Sequence, residues 1–448
     1  MGDHPDIRAG RLSTPEYERN FDDAKPPLDR KRALVEASRC YFCHDAPCIE
    51  ACPTGIDIPN FIRKISTDNV RGAALDILEP NIFGGMCARV CPTEELCEDA
   101  CVRNAQENKP VKIGRLQRYA TDWLMEEGIQ PFEREPGTGR KVAVVGAGPA
   151  GLACAHRLST LGHDVVVYEA RPKGGGLNEY GIAAYKVLED FAQRELGFVL
   201  ALGGIDVRYG QALGQDVTLA ELRRDYDAVF LGVGQAGVRA LGLEGEDLAG
   251  VIAAVDYIAE LRQTTELGTL PVGRNVVVIG GGNTAIDVAS QSKRLGAEDV
   301  TIVYRRGPEH MSATWVEQEF AQTSGVRIRH WAQPVRLHGH NGHVKEIEFE
   351  YTQLDGEGRL MGTGDTFTML VDVVFKAIGQ VFVPDPALAG AREPLNVSGG
   401  RIVVNEDRQT SLPDVFAGGD CIPGVDLTVE AVEDGKVAAH AIDRMLHP

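Results

Sequence analysis

Eight of the ten cysteines lie between Cys40 and Cys101, and that density of thiols needs a chemical reason. The first four, Cys40, Cys43, Cys48 and Cys52, are spaced C-x2-C-x4-C-x3-C and followed by Pro53. The second four, Cys87, Cys91, Cys97 and Cys101, are spaced C-x3-C-x5-C-x3-C, with Pro92 after the second. Disulfides suit small secreted domains, and this long chain opens on a polar, charged stretch unlike a signal peptide. Structural zinc favours paired C-x2-C knuckles, and only one is present. Iron–sulfur clusters take thiolate ligands from compact runs ending in Cys-Pro, and in two-cluster proteins the last cysteine of a run ligates the other cluster. Cys52 and Cys91 stand in that position, so the pattern predicts two interleaved 4Fe-4S clusters.

Such ligands must be held by a scaffold. Apolar residues at helical spacing around Phe61, Ile62 and Ile65, then Ala73, Ala74, Ile77 and Leu78, predict short helices linking the cysteine groups. A further helix over VKIGRLQRYATDWLMEEG carries Gln117, and EREPGTGR reads as a linker. Residues 1–35 are a polar lead-in that either wraps over the body or hangs loose.

After the linker, a short apolar strand, Lys141–Val145, runs into Gly146, Ala147, Gly148, Pro149, Ala150 and Gly151, then an apolar helix. A second strand, Asp164–Tyr168, ends at Glu169. The first glycine permits a tight turn, the second lets backbone approach a pyrophosphate, the third allows close helix–strand packing, and the acid accepts from a ribose. Gly174–Gly176 form another flexible turn. The pattern then recurs: strand Asn275–Ile279, the GxGxxA turn Gly280, Gly282 and Ala285, and strand Asp299–Tyr304 ending in Arg305 and Arg306. Arginines there bind a 2′-phosphate, stack on adenine, or face solvent. Residues 225–237 and 370–380 read as further buried strands. A strand over Asp414–Ala417 runs into Gly418, Gly419 and Asp420, a turn or a site for a ribityl hydroxyl.

Composition fits this reading. At 448 residues the chain has length for about three domains. A net charge of −19 disfavours nucleic acid as a partner. No apolar run reaches membrane-spanning length. Reduced cysteines point to the cytoplasm.

In this order, the cysteine groups, GAGPAG with Glu169, GGL with YK, GGGNTAID, YRR, AIG and AGGD resemble the flavin- and pyridine-nucleotide-binding part of dihydropyrimidine dehydrogenase and its cousin, the small subunit of glutamate synthase. The resemblance covers nearly the whole chain. It implies an α/β architecture of two Rossmann-like three-layer domains, the NAD domain inserted in the FAD domain, behind a helical iron–sulfur domain. The implied boundaries are 1–130 for the clusters, 131–236 with 382–448 for FAD, and 237–381 for NAD(P). FAD contacts fall on Gly146–Gly151, Glu169, Gly176, Leu177, Lys186, Gly419, Asp420 and Thr428. Nicotinamide-nucleotide contacts fall on Gly281, Gly282, Asn283, Thr284, Arg305, Arg306, Ala377 and Gly379. One cluster takes Cys40, Cys43, Cys48 and Cys101; the other takes Cys52, Cys91, Cys97 and Gln117, leaving Cys87 unligated. Gln117, the extra Cys87 and TVEAVEDGK favour the pyrimidine branch.

The single-chain animal members continue into an FMN-binding barrel of roughly 250 residues. The resemblance therefore implies the bacterial form split into two subunits, this chain being the FAD/NAD subunit in a heterodimer or heterotetramer with an FMN/iron–sulfur subunit. The implied reaction is 5,6-dihydropyrimidine + NAD+ to pyrimidine + NADH + H+, reversible, with no side-chain acid, base or nucleophile. Arg305 and Arg306 lean to NADP. Ser312 stands where the animal NADP enzymes have another arginine, and the split enzymes use NAD. A glutamate synthase small subunit and a general NAD(P)H:acceptor adaptor are the alternatives.

Overall fold

A computed structural model describes residues 10–383 and 394–447, so the first nine residues of the lead-in lie outside it. The chain divides into two compact units. One comprises residues 25–179, 189–237 and 381–448; the other, residues 1–24, 180–188 and 238–380.

The larger unit begins with the cysteine region. Its scaffold is α1 (Ile58–Ser66), α2 (Val70–Leu78), α3 (Gly84–Val90) and α4 (Ile113–Glu126). Asp57 caps α1 through Asn60 N, and Asn69 caps α2 through Gly72 N, so each short helix starts with an otherwise orphaned donor satisfied. Phe61, Ile62, Ile65, Ala73, Ala74 and Ile77 are fully buried, as their spacing predicts. Cys40, Cys48, Cys52, Cys97 and Cys101 pack against that core, which makes the helices a wall behind the thiols.

Next come β1 (Lys141–Val145), α5 (Pro149–Thr160), β2 (Asp164–Glu169), α6 (Phe191–Leu200), β3 (Ile205–Tyr209) and β4 (Ala228–Leu231). β1 pairs in parallel with both β2 and β4. Parallel strands covered on both faces read as unbroken apolar runs, as Val142–Val145 do.

The smaller unit holds β5 (Val251–Ala253), β6 (Asn275–Gly280), α7 (Asn283–Arg294), β7 (Asp299–Val303), α8 (Trp315–Thr323) and β8 (Arg327–Arg329). An antiparallel meander follows, β9 (Ala332–His340), β10 (His343–Leu354) and β11 (Leu360–Leu370), then β12 (Val373–Ala377). Its parallel sheet runs β5-β12-β6-β7-β8, and the meander forms a separate sheet.

Back in the larger unit, β13 (Val415–Ala417) completes the first sheet as β13-β4-β1-β2-β3, and α9 (Thr428–Leu446) packs along α5. A Cβ on Gly435 of α9 would lie 2.1 Å from Ala150 O, so that contact admits only glycine.

Two segments fall differently from the boundaries read in the sequence. Residues 10–24 belong to the smaller unit because Tyr17 and Phe21 enter its core and Arg11 pairs with Glu298 at 2.8 Å. Residues 180–188 join it through Ala24 N to Tyr185 O and the contacts of Lys186 described below.

Candidate flavin, nucleotide and cluster sites

In the larger unit the β1–α5 turn is a cradle that side chains would fill. Gly146 has φ +99°, and a Cβ on Gly151 would lie 1.9 Å from Gly146 O. Gly148 caps α5 in extended conformation, with Pro149 in its first turn. A Cβ on Gly176 would approach Gly148 Cα to 2.9 Å, and one on Gly419 would approach Ala150 Cβ to 3.0 Å. Gly146–Gly151, Gly176 and Gly419 are thus brought to one helix N-terminus, where partial positive charge and free N–H groups favour a pyrophosphate. Leu177 follows Gly176 and is exposed.

Glu169 ends β2, is buried, and accepts from Ala147 N and Arg171 N, both at 2.8 Å. These bonds aim its carboxylate across the mouth of the turn. Burial, and then the nearby Asp426, push the Asp420 carboxyl up to about 6. Thr428 donates to Asn178 Oδ1 at 3.0 Å, and the buried Asn178 Nδ2 has no partner among the described residues. A glycine cradle, a poised acid and an orphaned buried donor fit a flavin dinucleotide. Asn178 has no signal in the sequence.

The repeat in the smaller unit has the same backbone device. Gly280 has φ +147°, and a Cβ there would lie 2.1 Å from Ala377 O. Beyond it opens a cavity of about 610 Å3 lined by Gly281, Gly282, Thr284, Arg305, Ala377 and Gly379, all of them predicted, and by Tyr304, Ser312 and Arg239. Asn283 is the first residue of α7, and Asn283 and Arg306 do not line the cavity. Arg239, which no motif marks, donates its backbone N–H to Gly379 O at 3.2 Å. Neither Arg239 nor Arg305 has an acidic partner among the described residues. Two uncompensated guanidinium groups in one glycine-floored cavity fit a polyanionic nucleotide.

Lys186 lies elsewhere in the smaller unit. Its ammonium is buried between Asp287 (2.7 Å) and Glu317 (2.8 Å). Burial opposes its charge, but the two carboxylates outweigh burial and hold the ammonium above its ordinary range. Tyr185 donates to the same Asp287 at 3.3 Å, so this cluster fastens segment 180–188.

The cysteines fall into two sets. Cys40, Cys43, Cys48 and Cys101 line one small cavity, floored by Ile58, Ile62 and Ile113. Cys52, Cys91 and Cys97 form the second set, with Cys87 hydrogen-bonded to Cys91. Burial pushes the Cys48 thiol up to about 12, aided by Cys101, Cys40 and Cys43. The bond to Cys87, then burial, then Cys87, Cys97 and Cys52 hold Cys91 well above the thiol range. Thiols so crowded and desolvated ionise only when a cation compensates them, which is the chemistry of a cluster site. Gln117 on α4 is buried and donates from Nε2 to Gly84 O at 2.7 Å. That bond occupies the amide nitrogen, and nothing donates to its Oε1 among the described residues. Glu195, with no sequence signal, ties α6 to α3: its Oε1 accepts from Met86 N at 2.9 Å, and burial raises its carboxyl to about 8.

Residues 17–129 match the family of dihydropyrimidine dehydrogenase domain II, 4Fe-4S cluster, and residues 140–435 match the pyridine nucleotide-disulphide oxidoreductases. The chain is 36% identical to the NAD-dependent dihydropyrimidine dehydrogenase subunit PreT of Salmonella typhimurium, over 95% of this chain and 97% of the relative. It is also 36% identical to the glutamate synthase [NADPH] small chain of Escherichia coli K12, over 94% and 93%. The chain belongs to the PreT and glutamate synthase small-chain family. Members of this family join a 4Fe-4S domain to FAD- and NAD(P)-binding oxidoreductase domains, and this chain is such an oxidoreductase subunit. FprA of Mycobacterium tuberculosis in complex with NADPH shares the fold, at 23% identity and TM-score 0.57, over 70% of this chain and 85% of that one. No helix among the described residues is long and apolar enough to cross a membrane.

Proposed function

We propose that this chain is the FAD/NAD subunit of a two-subunit, NAD-dependent dihydropyrimidine dehydrogenase. It exchanges electrons between NAD(H) and an FMN/iron–sulfur partner for the reversible reduction of uracil or thymine. The supporting observation is Gln117: a buried glutamine, amide nitrogen already engaged by Gly84, on the helix that packs against α3. Cys52, Cys91 and Cys97 with Gln117 would hold one cluster, and Cys40, Cys43, Cys48 and Cys101 the other. When bound, flavin and nicotinamide supply hydride exchange, and the clusters supply one-electron conduction.

The chain's own groups bind and orient. The N-terminus of α5, Glu169, Asn178 and Asp420 would hold the flavin dinucleotide. The N-terminus of α7, Arg305 and Arg239 would hold the nicotinamide nucleotide. No side chain is assigned a proton transfer.

Copurification with the partner and an anaerobic assay of uracil-dependent NADH oxidation tests this reading. Turnover supports it, whereas glutamate formation from glutamine and 2-oxoglutarate with a large subunit would replace it. That second reading has its own support in the 36% identical glutamate synthase small chain and in Arg305, which lines the nucleotide cavity. A preference for NADPH of at least tenfold would overturn the choice of NAD.

A further inference from the structure

We propose that His163, Asp443 and His447 form a binding site for a divalent transition metal of the zinc class, separate from the cluster and nucleotide sites. One ligand atom from each of the three lies within 4.8 Å of the others. His163 Nε2 is 2.9 Å from Asp443 Oδ1, and His447 Nδ1 is 3.2 Å from the same oxygen. Zinc bonds of 2.0–2.2 Å in tetrahedral array set ligand atoms about 3.3–3.5 Å apart, so a small adjustment admits the ion. Two imidazoles and a carboxylate suit zinc and its neighbours better than magnesium or calcium.

The second observation is the support behind His163. Its ring is fully buried, and its other nitrogen, Nδ1, lies 2.9 Å from Thr138 Oγ1. Metal-bound histidines are held in this way by a partner on the far nitrogen. No proton need leave the site. His163 moves its proton to Nδ1 and donates to Thr138, whose hydroxyl faces Gly162 O at 3.5 Å. His447 is half-exposed and takes its proton on Nε2. Asp443 lies in the last turn of α9, and His447, the residue that caps it, donates its backbone N–H to Asp443 O at 3.0 Å, while His163 precedes β2. The ion would staple the end of α9 to the start of β2, an inner strand of the first sheet, and open its remaining position to water.

The test is a titration of cluster-loaded protein with Zn2+ against a chelating indicator, with cluster absorbance followed to identify zinc entering at the cysteines. The wild type is expected to bind one zinc ion per chain more than Asp443→Asn or His447→Ala. Thr138→Val should weaken that ion about 10- to 100-fold. Zinc should raise the melting temperature of the wild type and of neither ligand variant. Equal zinc stoichiometry in the wild type and both ligand variants would overturn the site, as would equal affinity.

Discussion

The two nucleotide halves share one backbone device and differ in what ends the second strand. In the flavin half that residue is Glu169, buried and fixed by two backbone N–H groups. In the nicotinamide half β7 stops at Val303, and the charged residue two positions on is Arg305, exposed and without an acidic partner among the described residues. A fixed acid suits hydroxyls of a group that stays, whereas an exposed cation suits the phosphates of one that exchanges. The third glycine position differs too. Gly151 admits no Cβ, whereas the repeat carries Ala285, fully buried.

The largest effect expected from this contrast is on the turn. Gly151→Val should abolish flavin binding and destabilise the larger unit, because its Cβ would meet Gly146 O at 1.9 Å. Ala285→Gly should cost only about 1 kcal/mol in thermal unfolding. Flavin absorbance of purified Gly151→Val at wild-type stoichiometry would break the comparison. Next is the acid: Glu169→Ala removes an acceptor from two N–H groups, and flavin occupancy should fall at least tenfold after dialysis, with NAD(H) affinity unchanged.

Third is the cation pair. Arg305→Ala and Arg239→Ala should each raise KM for the nicotinamide nucleotide by about 10- to 100-fold, the scale of a charged hydrogen bond, without releasing flavin. A change confined to NADPH would sharpen the role of Arg305 to the 2′-phosphate.

The smallest effect is one of pH. Asp420, raised from 3.8 to about 6, holds its proton more tightly folded than unfolded. Its ionisation therefore lowers the stability of the flavin-free protein as pH rises from about 4 to 6. Asp420→Asn should flatten the melting-temperature profile across that window; an unchanged slope would assign the pH dependence to other groups.

Both halves were legible because their signals are local. β1 spans Lys141–Val145, the bounds read from its sequence, and glycines mark each turn. The cysteine groups were also readable: the Cys-Pro step at Cys52 puts it with the second set, whereas Cys91, also before a proline, stays with its own run, and Cys101 joins the first set as the family resemblance implies. What escaped depends on contacts remote in sequence. Arg239 reaches its cavity from a loop before β5. Glu195 is an ordinary helical acid until α3 packs over it. Lys186 follows a glycine-rich turn, yet its partners Asp287 and Glu317 are in the smaller unit. The meander Ala332–Leu370 carries no chemistry-bearing pattern and was not anticipated.

The early chain also dictates how the protein can be dissected. Tyr17 and Phe21 are core residues of the smaller unit, although the cysteine region that follows them belongs to the larger one. Deleting everything before the linker to isolate a clean flavoprotein would pull those two aromatic plugs from the nicotinamide half. An excision that begins at Lys25, rejoined across the gap, is the cut that spares both cores.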